Sequence, residues 1–153
     1  MAILLSGSLL LVCALIHYET LRWANRFSTS STRIQQQGKI LVILLCSMGS
    51  HISHILLFGI VFFFTRDKLG LGTFGGTFTD NFQNFMYFSA ETYTSVGYGD
   101  IYPTGSLRLI SSVETLLGLM LISWSASYSY IEMQRHWSGT PSPAALYQPD
   151  ETP

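Results

Sequence analysis

Three apolar runs, residues 2–18, 40–64 and 107–130, are each long enough to cross the hydrocarbon core of a bilayer. The first sits at the short end of the spanning range, and the other two have room for tilt. They commit most of the apolar residues of a 153-residue chain to helices, so the expected fold class is an all-α membrane protein. The charge content agrees, because only 11% of the residues are charged where a soluble domain carries roughly a quarter. Eight Lys and Arg against nine Asp and Glu leave a net charge of −1, which excludes nucleic acid as a partner. Cys13 and Cys46 lie inside the apolar runs, where each serves as a small hydrophobe.

The first run has no basic residue before its apolar core and a poor cleavage site around Cys13 to His17, so a retained helix is expected rather than a signal peptide. The polar segment 19–39 carries Arg22, Arg26, Arg33 and Lys39, which places it on the cytoplasmic side with the amino terminus outside. Segment 65–79 is then outside. The carboxyl-terminal tail is inside and, with Pro141, Pro143, Pro149 and Pro153, is expected to be disordered. The division read from this is 1–39 for the first helix and its loop, 40–131 for a membrane domain, and 132–153 for the tail.

Between the second and third runs, Asp80 can cap a helix whose third residue is Gln83, within bounds of 80–94. Such a helix is about 20 Å long at 1.5 Å per residue, too short to span. Pro103 and Gly105 turn the chain, and Ser106 can cap the last span. A half-depth helix with a non-helical return is tolerated in a membrane only if buried in protein or lining water. The segment therefore reads as a re-entrant loop beside an aqueous path.

The return is Thr94-Ser95-Val96-Gly97-Tyr98-Gly99-Asp100. Gly97 and Gly99 allow positive φ, so that successive carbonyls can turn to one side. If several copies surround an axis, the oxygens of Ser95, Val96, Gly97 and Tyr98, with the Ser95 hydroxyl, can replace the hydration shell of a monovalent cation. Val96 and Tyr98 then point away from the axis and pack against the short helix.

From Ser89 through Asp100 the chain resembles the tetrameric potassium-channel superfamily, most closely the small prokaryotic channels with one pore loop per chain. The stretch Leu121 to Ser127 is similar to the inner helix of small bacterial members. The resemblance implies an outer helix over 40–64, a pore helix over 80–94, a filter over 95–99 entered from Thr94, and an inner helix over 107–131. It also implies K+ as the bound ion and a cell-membrane location in a prokaryote. Ser95 stands where the family usually has threonine, which keeps the hydroxyl and loses the methyl that restrains its rotamer. Glu91 and Asp100 fall where members can carry a carboxyl pair sharing a proton behind the filter, and Tyr87, one turn before Glu91, can donate to Asp100. A solvated Asp100 with a simply satisfied Glu91 is the competing reading.

His51 and His54 share a face near the middle of the second span, which makes them candidates for proton sensing. The competing reading is packing, since Ser47, Gly49, Ser50 and Ser53 surround them and can satisfy neutral imidazoles. A zinc site would need more ligands at that depth, and His17 is expected near the inner interface instead. Glu114 can tune the cation potential or pair with the pore helix or a neighbouring subunit. Gly118 permits either bending or close packing, and Met120, Ser123 and Ser127 follow helical spacing toward a cavity. Phe62, Phe63, Phe64, Phe74, Phe78 and Phe82 read as an outer aromatic belt facing lipid.

One pore loop supplies a quarter of a filter, so the expectation is a homotetramer passing K+ passively, without catalysis or cofactor. The rivals are a channel with weak selectivity for K+ over Na+ and a non-conducting transport subunit. No helix carries arginines at every third position, so voltage sensing of that kind is not expected.

Overall fold

The computed structural model describes residues 1–29, 35–66 and 69–137. Among these, helix α1 (Ala2–Thr29) is followed by α2 (Gln35–Thr65), strand β1 (Phe74–Gly76), helix α3 (Phe82–Tyr93), strand β2 (Ile101–Pro103) and helix α4 (Leu107–Trp137). Three helices contain segments long and apolar enough to cross a membrane, Ala2–Arg26, Gly38–Thr65 and Leu107–Arg135. α1 and α3 each pack against both α2 and α4, so the short helix is held between the two long ones of the domain.

All three long helices outrun their apolar runs. α1 does not stop at Tyr18, because Glu19 and Arg22 pair one turn apart at 3.0 Å and Thr20 bonds back to the Ile16 carbonyl, while Leu21 and Ala24 stay buried. α4 continues through residues 132–137, which the sequence assigned to the disordered tail, and the Glu132–Arg135 pair at 2.7 Å supports that last turn. Arg33, Asp67, Lys68 and the four tail prolines lie outside the described residues.

The aromatic belt is instead an internal cluster. Phe58, Phe62, Phe85 and Phe88 are fully buried. Phe74 sits edge-on to Phe62, Phe85 and Phe88 with ring centroids 5.1 to 5.7 Å apart, and Phe78 packs edge-on to Phe85. Edge-to-face pairs of this kind add about 0.5–1.5 kcal/mol each beyond burial. Of the expected belt, Phe64 and Phe82 remain largely exposed. The cluster exists because the segment after α2 folds back as β1 and pairs antiparallel with β2, Phe74 opposite Pro103 and Gly76 opposite Ile101. Gly76 has φ 121°, and a Cβ there would run into the Asp100 carbonyl, so only glycine lets this strand approach the end of the 94–100 segment. At the start of α4 the Leu71 carbonyl accepts from Ser106 and Leu107 N–H, so the helix entrance is satisfied by backbone rather than by the Ser106 side chain.

Candidate functional site

The short helix starts one residue later than Asp80. Asn81 is its N-cap, with extended backbone and a side-chain oxygen accepting from Asn84 N–H at 2.9 Å. Asp80 forms an ion pair with Arg66 at the end of α2, and the Arg66 guanidinium also lies over the Phe63 and Phe85 rings. The amino-terminal end of α3 is thereby tied to α2.

At the other end, Thr94 closes the helix by donating its N–H and its hydroxyl to the Ala90 carbonyl, at 3.1 and 2.7 Å. The next three N–H groups also turn back, Ser95 to Thr92 O at 3.1 Å and Val96 and Gly97 to Glu91 O at 3.0 and 3.5 Å. In a trans peptide the N–H of one residue points opposite to the carbonyl of the residue before it. The carbonyls of Thr94, Ser95 and Val96 therefore leave the helix on the side opposite these bonds.

Positive φ falls at Ser95 (61°) and Gly97 (108°), with Val96 and Tyr98 of ordinary sign. Alternating hands along a chain are what keep consecutive carbonyls on one side. Gly99 does not share that conformation, contrary to expectation, and a Cβ there would only make ordinary contact with the Glu91 carboxylate. A non-glycine residue in the left-handed region costs on the order of 1–3 kcal/mol, here offset by the hydrogen bonds on either side of Ser95.

Tyr98 stacks on Phe88 of α3 at 5.7 Å and 16°, and its hydroxyl meets Ser111 Oγ of α4 at 2.6 Å. Ser111 was not singled out in the sequence, where nothing distinguishes it from the serines around it. Val96 is 77% exposed in the single subunit, and residues 94–100 are all exposed. The Tyr87 phenol is held above its ordinary pKa, chiefly by the hydrogen-bonding pull of the Glu91 carboxylate, with Asp100 adding to it. Glu91 Oε2 is buried with no hydrogen-bond partner.

A family model described as an ion channel matches residues 41–135, more than half of the chain and all of this geometry. The chain belongs to the ion-channel family. It is a multi-pass membrane protein that forms a pore for ions, built on three spanning helices and one re-entrant helix. No curated protein and no solved structure matches it.

The remaining residues of this channel chain fall into place around α3. Glu114 is fully buried and accepts from Ser89 Oγ at 2.5 Å, a pairing with the short helix. A Cβ on Gly118 would collide with the Tyr93 carbonyl, so the glycine serves close packing of α4 on the end of α3. Met120, Ser123 and Ser127 are exposed on α4 in the single subunit.

His51 and His54 both meet the Tyr93 hydroxyl, at 2.8 and 3.2 Å. His17 does not stand apart from these two, as the sequence implied. Because α1 runs on to Thr29, His17 lies mid-helix, fully buried, with its ring centroid 5.2 Å from that of His51 and 5.8 Å from that of His54.

Proposed function

We propose that this channel chain is the pore-forming subunit of a potassium-selective homotetramer in a prokaryotic cell membrane, conducting K+ by passive diffusion with no catalytic step and no cofactor beyond the ions. The observation that carries the reading is the engagement of the Ser95, Val96 and Gly97 N–H groups by α3, which frees the carbonyls of Thr94, Ser95 and Val96 on the opposite face. Around a fourfold axis these oxygens, with those of Gly97 and Tyr98 and the Ser95 hydroxyl, make a column of dehydrating ligands for K+. α3 aims its carboxyl end at the base of that column, where its partial negative charge favours a cation. Met120, Ser123 and Ser127 face the cavity below, the amino terminus lies outside, the carboxyl terminus lies inside, and lipid covers the rest.

Potassium-driven flux into liposomes containing the purified protein tests this reading. Gly97→Ala should abolish the flux, since the methyl opposes φ 108° and turns the Val96 or Gly97 carbonyl out of the column. Unchanged, K+-selective flux in Gly97→Ala would remove residues 95–99 as the filter. Weak selectivity is a second reading, favoured by Ser95, which lacks the threonine methyl. On that reading Ser95→Thr sharpens K+ over Na+.

A further inference from the structure

The interior of the helix bundle holds a group of side chains that ion conduction does not use. His17 of α1 and His51 and His54 of α2 each offer a ring nitrogen, and these atoms all lie within 4.8 Å of one another. His17 and His54 are fully buried. The rings are linked through shared hydroxyls: His17 Nδ1 meets Ser50 Oγ at 3.1 Å, and Ser125 Oγ joins His17 Nε2 to His51 Nε2, both at 3.1 Å. The Tyr93 hydroxyl then joins His51 Nδ1 to His54 Nδ1.

A hydroxyl donates one proton, and a neutral imidazole donates at one nitrogen and accepts at the other. The chain from Ser50 to His54 is therefore satisfied with every ring neutral, in either direction. It ends at His54 Nε2, which is buried without a hydrogen bond, although the Cys13 carbonyl lies close enough to act on the ring. Packing of membrane helices needs one such polar contact, and the rules of satisfaction do not call for three imidazoles converging from two helices with a ring nitrogen left over.

From this we infer that His17, His51 and His54 form a binding site for a borderline-soft divalent transition-metal ion of the zinc class. Neutral imidazole is the ligand such ions prefer, and three in one place leave a fourth position for a hydroxyl or water. Metal–nitrogen bonds of about 2.0–2.1 Å in tetrahedral geometry put ligand nitrogens roughly 3.3 Å apart, so closing the observed triangle moves each nitrogen by under about 1 Å. The Tyr93 phenol touches two of the rings, and a cation bound there would favour its ionisation. A largely apolar cleft of about 410 Å³ opens onto His51, with Tyr93 and Ser125 also in its wall. A bound ion would clamp α1 to the pore domain beside Tyr93, at the inner end of the filter segment. The site stands apart from the potassium reading and holds whether or not the pore selects K+.

The test is Co2+ titration of the metal-stripped, full-length protein, purified without a histidine tag and held in lipid nanodiscs. The expected result is the visible ligand-field spectrum of tetrahedral Co2+, saturating at one ion per subunit and bleached by Zn2+. Loss of an outer-shell group already weakens metal sites 10–100-fold, so His17→Gln, His51→Gln and His54→Gln should each lower affinity at least about 100-fold. Substituting His136, the fourth histidine of the chain, should leave it unchanged. Zinc-edge X-ray absorption on the unsubstituted protein counts imidazole ligands without relying on any variant to fold, and three are expected. No tetrahedral spectrum, a spectrum that persists in all three glutamine variants, or fewer than three imidazoles would overturn the site.

Discussion

The Tyr93 carbonyl occupies the space in which a side chain at Gly118 would begin. α4 thus passes flush against the carboxyl end of α3, beside the start of the 94–100 segment. Gly118→Ala forces the two apart, and overpacking of this kind costs about 1–3 kcal/mol. Thermal unfolding of the detergent-solubilised protein should show a clear loss for Gly118→Ala and none for Gly7→Ala, where a Cβ meets nothing within 4 Å. Equal melting temperatures for both would mean the approach is looser than described.

The bond between Tyr98 and Ser111 at 2.6 Å fastens the 94–100 segment to α4. Ser111→Ala and Tyr98→Phe should each cost about 0.5–1.5 kcal/mol, and the double substitution little more than either alone. A double-mutant cycle on unfolding free energy checks this, and strict additivity would dissolve the link.

Ser89 gives Glu114 its hydrogen bond, and the other carboxyl oxygen is already buried without a partner. Ser89→Ala should therefore destabilise by about 1–3 kcal/mol, the cost of an orphaned buried acceptor. Glu114→Gln keeps an oxygen facing Ser89 and should be milder in the same unfolding assay. The reverse order would show that the carboxyl matters for some contact other than Ser89.

The Tyr87 phenol is held above its ordinary pKa chiefly by the pull of the Glu91 carboxylate. A neutral acid favoured in this way contributes fully below the ordinary phenol value and is lost only as pH rises through the higher native one. Sustained channel activity should therefore show no Tyr87-dependent change between external pH 6 and 9, roughly, with loss confined to the strongly alkaline side. Recording Tyr87→Phe beside the parent channel checks it. A Tyr87-dependent step near neutrality would mean another group controls this corner.

The three spans and the re-entrant helix were legible because each depends on local signals, apolar length and a capping residue, whereas glycine spacing marked Gly97 but missed the positive φ at Ser95. Even there the cap moved from Asp80 to Asn81, since Asp80 has a stronger partner in Arg66, which no local pattern reveals. The pairing of β1 with β2, the inward turn of Phe62, Phe74 and Phe78, and the bond from Tyr98 to Ser111 join residues distant in sequence and leave no periodicity to read. His17 was misplaced for a different reason. Apolar length marked the end of the run at Tyr18, whereas the helix continues at least to Thr29, and only the packing of α1 on α2 sets His17 beside His51 and His54.

The most direct measurement is the reversal potential of single channels of the purified protein in planar bilayers, with K+ on one side and Na+ on the other. A carbonyl column built from Ser95 to Tyr98 predicts discrete openings that reverse far toward the K+ equilibrium potential and shift with the K+ gradient. Openings that reverse near zero in the mixed gradient, or a correctly assembled protein that never opens, would contradict it.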